Sequence, residues 1–246
     1  MLEIGSTTRN SWQVSDETVS LVRQERPARP VHLEADPQSV TLDAARTALI
    51  VIDMQNFFCA QDGKSDKASR RPIKPLQDLL PAMRKADVPV IWVNWGTRPD
   101  RLNLSPSVQY TFRKSTDDEG PAVSGVSQLF KGSEVAKIIP ELEVAETDIH
   151  VDKHRLSGFW DTPLDSILRN LAIDTLLFAG VNMDQCVLGT LQDASFLGYD
   201  CIMLEDCVAT GSPDFCREAT LYNVKKCFGF VGQSASLIEG LIEGLT

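Results

Sequence analysis

From Thr47 onward, short runs crowded with apolar, β-branched residues alternate with stretches whose apolar residues recur at helical spacing. The runs are Thr47 to Met54, Val88 to Trp95, Asp148 to Asp152, Thr175 to Val181, Cys201 to Leu204 and Cys227 to Val231. The helical stretches are Ile73 to Ala86, Glu134 to Leu142, Leu164 to Asn170, Cys186 to Leu197, Pro213 to Lys226 and a last one from Ser236. A strand that is apolar throughout, rather than alternating, suits a sheet covered on both faces. Alternation with helices then calls for right-handed crossovers between parallel strands. The expected fold is therefore α/β, a three-layer Rossmann-like domain with a mostly parallel six-stranded sheet.

Local punctuation agrees with this reading. Thr162-Pro-Leu-Asp165 offers a side-chain cap, a proline at the first helical position and an acid in the first turn. Leu164, Ile167, Leu168 and Leu171 then recur on one face. Ser212-Pro-Asp214 opens another helix in the same way, and Gly198 stops the helix that precedes Cys201. Residues 1–46 have a different texture. They are polar, interrupted by Pro27, Pro30 and Pro37, and without a sustained period, so they read as an arm or clasp over a domain spanning 47–246.

Composition excludes several function classes. A chain of 246 residues with 43% hydrophobic content can fill a large interior, which a disordered or fibrous protein cannot. Its 24 basic residues against 34 acidic ones give a formal charge of −10, and no Lys/Arg run interrupts that balance, so nucleic acid is not an expected partner. The apolar runs fall well short of the ~20 residues of a bilayer span. Met1-Leu-Glu-Ile-Gly lacks the basic-then-apolar pattern of an export signal, and a cytoplasmic protein with no membrane partner is expected. Six cysteines without a Cys-x-x-Cys pair read as free thiols. With only three histidines, His32, His150 and His154, and no His-Glu-x-x-His or Cys-x-x-Cys motif, neither a metal nor another cofactor is expected.

Ligands of open parallel sheets bind outside the carboxyl ends of the strands. Three reactive residues stand at such ends: Asp53, Lys153 and Cys186, the last opening a helix. Each alone has an ordinary explanation, as turn former, solvated charge or core thiol. Together they form a nucleophile, a proton carrier and a cation. A helix N-terminus and a nearby ammonium would both lower the thiol pKa, and with no histidine at hand the carboxylate must move the proton.

At these residues the chain resembles the isochorismatase-like cysteine hydrolases. The resemblance rests on Thr47-Ala-Leu-Ile-Val-Ile-Asp53-Met-Gln-Asn56, on Lys153-His-Arg-Leu-Ser-Gly-Phe-Trp-Asp-Thr-Pro-Leu-Asp-Ser-Ile-Leu168, and on Ala179-Gly-Val-Asn-Met-Asp-Gln-Cys186-Val. It is closest to the ureidoacrylate amidohydrolase branch, through the Ser157-Gly-Phe-Trp-Asp-Thr-Pro segment and the Leu204-Glu-Asp, Ala219-Thr-Leu-Tyr-Asn and Phe228-Gly-Phe-Val pieces. It implies an Asp53, Lys153, Cys186 triad, a homo-oligomer (dimer or tetramer), and a cis peptide between Val181 and Asn182 that aims the N–H groups of Asn182 and Cys186 at an oxyanion. The implied reaction is hydrolysis of a carbon–nitrogen bond of a small amide, ureido or carbamoyl compound through a thioester.

Candidate substrate contacts are Gln55, Phe58, Trp95, Phe159 and Trp160. Two departures from the family pattern bear on specificity. Asn182-Met183 stands where Ala-Thr is common, and Leu156 stands where the amidohydrolase branch tends to carry Tyr. The metal-dependent nicotinamidase branch is a poor match, since residues 54–149 contain no histidine. Vinyl-ether hydrolysis of an isochorismate-type substrate and a non-catalytic scaffold on the same fold are the alternatives.

Overall fold

The computed structural model describes residues 2–23, 26–60, 67–111 and 128–244. Its centre is a seven-stranded sheet, parallel except at one edge. Thr47–Ile52 (β7) and Thr175–Val181 (β10) are buried at every position and lie side by side, as continuous apolar runs require. Val90–Trp95 (β8) and Ile149–Lys153 (β9) extend the sheet on one side. Asp200–Ala209 (β11) and Phe230–Gly232 (β12) extend it on the other. All six expected strands are present.

The seventh strand comes from the N-terminal segment. Ala35–Asp36 (β5) pairs antiparallel with β12 at the edge of the sheet. Before it, Leu2–Ile4 (β1), Trp12–Val14 (β2) and Val19–Ser20 (β3) make a small antiparallel sheet, while Pro30–Leu33 (β4) pairs with Val40–Asp43 (β6). Val31 and Leu33 are buried and alternate with exposed Pro30 and His32. A four-residue alternation is too short to register as a period, so the expectation of a purely superficial arm is corrected: residues 30–46 contribute to the core.

Helices cover both faces. Ile73–Lys85 (α2) buries Leu76, Leu79, Leu80 and Met83 on one face of the sheet, beside Ser234–Glu243 (α7). On the other face Leu164–Asn170 (α4) and Leu188–Phe196 (α5) bury Leu164, Leu168, Leu191 and Ala194. Pro163, expected at the first helical position, is instead the cap residue of α4, and the Leu164 N–H donates past it to Thr162 Oγ1 at 3.2 Å. Gly198, at φ +91°, ends α5. Remaining helices are Asn56–Cys59 (α1), Pro106–Thr111 (α3) and Asp214–Asn223 (α6).

Three expected spans differ. Glu134 to Leu142 is not a helix: only Glu134–Ala136 makes a single 3₁₀ turn, because Pro140 and the pairing of Ile138 with Gln55 draw the chain into an extended path. The stretch ending α6 continues as a π turn over Val224–Phe228, so the last strand begins at Phe230 rather than Cys227. Cys227 is exposed and Cys216 half-buried. Within the loop-rich stretch after β8, residues 112–127 lie outside the described residues. Among the described residues no helix is long and apolar enough to cross a membrane.

Candidate active site

The strand order brings three chain-distant ends together. β10, β7, β8 and β9 are consecutive neighbours, so the segments leaving them share one sheet edge. Asp53 follows β7 and Lys153 ends β9. Cys186 sits four residues after the Val181–Asn182 peptide, which is cis, in a π turn over Met183–Val187 that leads into α5. The helix expected to open at Cys186 thus begins at Leu188, and the cysteine occupies the turn before it.

Backbone geometry at the β7 exit is restrictive. Asp53 adopts φ +53°, a left-handed conformation that Asp tolerates better than most residues and that recurs at functional sites. Beside it, Gly180 has φ +110°, and a Cβ there would meet the Ile52 carbonyl oxygen at 2.0 Å. Only glycine lets β10 pass this close to β7.

Lys153 Nζ lies 2.9 Å from Asp53 Oδ2 and 3.4 Å from Cys186 Sγ, and it also donates to the Arg155 carbonyl at 3.1 Å. The lysine and aspartate side chains are wholly buried, and Cys186 retains 5% exposure. The Trp95 ring closes the other side, its centroid 4.1 Å from the ammonium. Asp53 Oδ1 accepts from the Trp95 N–H at 3.2 Å. Its Oδ2 meets the Lys153 ammonium at 2.9 Å. The Cys186 thiol is hydrogen-bonded to the same carboxylate.

Burial dominates the electrostatics. It pushes the Cys186 thiol up to about 12, against the pull of Lys153 and reinforced by Asp53. Burial also raises the Asp53 carboxyl above its ordinary range, with Lys153 and the Cys186 thiol opposing. The expectation of a thiolate held ionised at rest is corrected: the resting sulfur carries its proton. A low-dielectric enclosure disfavours a third charge more than one ammonium, already shared with a carboxylate, favours it.

The proposed substrate contacts divide. Trp95 and Trp160 line a cleft of about 490 Å³ together with Arg155, Leu156, Ser157 and Gly189. Gln55 does not reach it. That side chain is fully buried, its amide donating to the Trp95 and Ala136 carbonyls at 2.8 and 2.6 Å and accepting from the Trp95 N–H at 3.0 Å, so it fixes the end of β8. Phe58 packs into the core, and Phe159 faces a neighbouring apolar hollow with its ring 5.9 Å from that of Tyr199. Aromatic rings near strand ends serve packing as readily as recognition, which the sequence does not distinguish.

One residue escaped the sequence reading. Thr190, fully buried in α5, donates to the Cys186 carbonyl at 2.7 Å and accepts from the Gly158 N–H at 3.0 Å. It clamps the cysteine turn to the loop that follows Lys153. The available signal was a threonine four residues after the cysteine, a spacing at which a helical hydroxyl reaches a backbone carbonyl.

Residues 47–236 match the isochorismatase domain. The chain belongs to the isochorismatase family. A cysteine hydrolase from Pseudomonas syringae pv. phaseolicola superposes with a TM-score of 0.73 at 27% identity, covering 90% of this chain and 100% of that one. An N-carbamoylsarcosine amidase from Thermoplasma acidophilum gives a TM-score of 0.62 at 28% identity, over 77% and 96% of the two chains. An isochorismatase family protein from Desulfovibrio vulgaris gives 0.67 at 25%, over 80% and 98%. Family members of this kind are hydrolases, which is the coarse function of the chain.

Proposed function

We propose that this hydrolase cleaves a carbon–nitrogen bond in a small ureido, carbamoyl or amide compound, with Cys186 as nucleophile, Asp53 as proton carrier and Lys153 as the cation between them. The observation that carries the reading is a single ammonium within 2.9 Å of the carboxylate and 3.4 Å of the sulfur. In support, the similar amidase acts, by its name, on an N-carbamoyl compound. A cleft of about 490 Å³ bounded by two tryptophans suits a small planar group.

The resting thiol transfers its proton to Asp53 Oδ2 as sulfur attacks the substrate carbonyl carbon. The carbonyl oxygen takes the negative charge and turns toward the Asn182 and Cys186 backbone N–H groups. Donors of that kind are worth about 2.7–4 kcal/mol each in the transition state. The C–N bond then breaks, and the nitrogen leaves with the proton from Asp53. Water attacks the thioester, giving one proton to the same carboxylate; the C–S bond breaks and the proton returns to sulfur. Lys153 stays an ammonium throughout and balances whichever neighbour is charged.

Intact-protein mass spectrometry after mixing with a panel of ureas, carbamates and amides tests this. An acyl or carbamoyl adduct localised to Cys186 is expected, with Cys186→Ala forming none and losing at least about 10³-fold in turnover. Full turnover in Cys186→Ala rules out the covalent route.

A further inference from the structure

Away from the triad, five guanidinium groups converge on one hollow. Arg9, Asn10, Arg23 and Arg26 from the N-terminal segment face Arg46, which precedes β7, and Arg169 of α4 around a cavity of about 490 Å³. This is an unusual concentration in a chain of net charge −10. The residues are scattered along the sequence, so no basic run announces them.

Three of the five are ion-paired. Arg9 meets Asp87 at 3.1 Å, Arg169 meets Asp165 at 2.9 Å, and Arg46 meets Asp174. Arg23 is held by neutral groups, its Nε donating to Asn10 Oδ1 at 2.9 Å and a terminal nitrogen to the Leu21 carbonyl at 2.7 Å. Arg26 Nη2 is buried and has no hydrogen-bond partner among the described residues. Burial and the neighbouring Arg9 and Arg46 push its guanidinium below the usual range; Asp43 opposes them, although its Oδ1 already accepts from the Arg29 and Ala45 N–H groups. A buried, unpaired N–H donor on a cation costs free energy that a bound acceptor would recover.

We infer that this hollow binds a multivalent oxyanion of the phosphate class, a diphosphate or longer, with Arg26 supplying a donor that lacks a protein partner and Arg23 a cation held only by neutral groups. Guanidinium forks match the paired oxygens of phosphate, and the excess charge calls for more than a single negative one. The volume exceeds what one orthophosphate fills. Such an anion would bridge the N-terminal segment to the domain. Arg46 stands at the start of β7 and Asp53 at its end, so the site lies about 20 Å from the triad on the opposite edge of the sheet.

Isothermal titration calorimetry of the full chain with inorganic pyrophosphate, at fixed ionic strength, tests the assignment. Saturable one-to-one binding is expected, tighter than for orthophosphate, with Arg26→Gln and Arg23→Gln each weakening it by at least about tenfold. Without the anion, Arg26→Gln should melt at the same temperature as the parent or higher, because it removes an uncompensated charge. Absence of saturable heat, or equal affinity in both variants, overturns the site. A ligand-free Arg26→Gln that melts well below the parent overturns it too, because Arg26 would then be a structural residue. Arg23, an exposed residue, gives a variant whose folding does not depend on that outcome.

Discussion

Replacing Lys153 by Met removes a charge while nearly keeping its length, and the structure gives the size of the effect. At 2.9 Å the ion pair with Asp53 is worth about 6 kcal/mol at an effective dielectric of about 20, a sum opposed by several kcal/mol of desolvation for each ion. The pair as a whole is therefore close to neutral for stability, but breaking it leaves one buried charge alone. Lys153→Met should lose about 3–5 kcal/mol at pH 8, and Asp53→Asn a similar amount. The double variant should recover most of that loss, because neither charge remains.

The acid side of the same experiment has a definite sign. Asp53 already sits above the ordinary carboxylate range, and Lys153 is the strongest influence holding it down. Without the ammonium its folded pKa rises further, so the folded chain holds a proton that the unfolded chain releases above about pH 4. That contribution is fully present below the unfolded value and lost as pH rises through the folded one. The deficit of Lys153→Met relative to the parent should therefore shrink between pH 8 and pH 5. Urea unfolding followed by tryptophan fluorescence reads this directly, since Trp92 and Trp95 are both buried. Additive losses in the double variant, or a deficit that grows on acidification, would refute the argument.

Four further outcomes follow from particular contacts. With iodoacetamide at neutral pH, Cys227 should react first and buried Cys186 slowly; preferential labelling of Cys186 would contradict a protonated resting thiol. Thr190→Val should cost about 1–3 kcal/mol and lower kcat with little change in KM, while Thr190→Ser retains both, because the Gly158 N–H otherwise loses its acceptor. Asp148 accepts from Arg84 through both oxygens and from the Trp92 indole and Ala145 N–H groups; burial raises its carboxyl, yet these donors outweigh that and leave it lowered. Its contribution is present above the unfolded pKa and lost as pH falls through the folded one, so the roughly 1.5–3 kcal/mol deficit of Asp148→Asn at pH 7 should narrow in acid denaturation curves. Gly180→Ala should lose more than about 4 kcal/mol by urea titration, since its Cβ would overlap the Ile52 carbonyl.

The residues that were legible in the sequence are those whose surroundings are set by topology. Asp53, Lys153 and Cys186 each leave a strand of one parallel sheet, and parallel strands carry such exits to a common edge whatever the loops do. Gln55, Phe58 and Phe159 were not legible, because which way a loop side chain turns depends on neighbours far along the chain. Gln55 is drawn inward by Trp95 and by Ala136, 81 residues away, in a stretch whose apolar spacing imitates a helix. The small strand β5 escaped for the reason that two residues carry no period.

The protonation state of the cysteine shows a further limit, and it bears on how such a site works. Sequence spacing reports which charges can meet, and from a nearby cation and a turn before a helix it suggests a thiolate. Burial, which spacing does not report, reverses the sign: the sulfur keeps its proton in a pocket that already encloses an ammonium and a carboxylate. A neutral thiol hydrogen-bonded to a buried carboxylate is then a stored proton transfer, completed only when a substrate carbonyl offers sulfur a bond. The same enclosure that suppresses the thiolate at rest strengthens every dipole aimed at the developing oxyanion. Reactivity toward a bulk alkylating agent and reactivity toward a bound carbonyl should therefore part company in this protein, the first slow and the second fast.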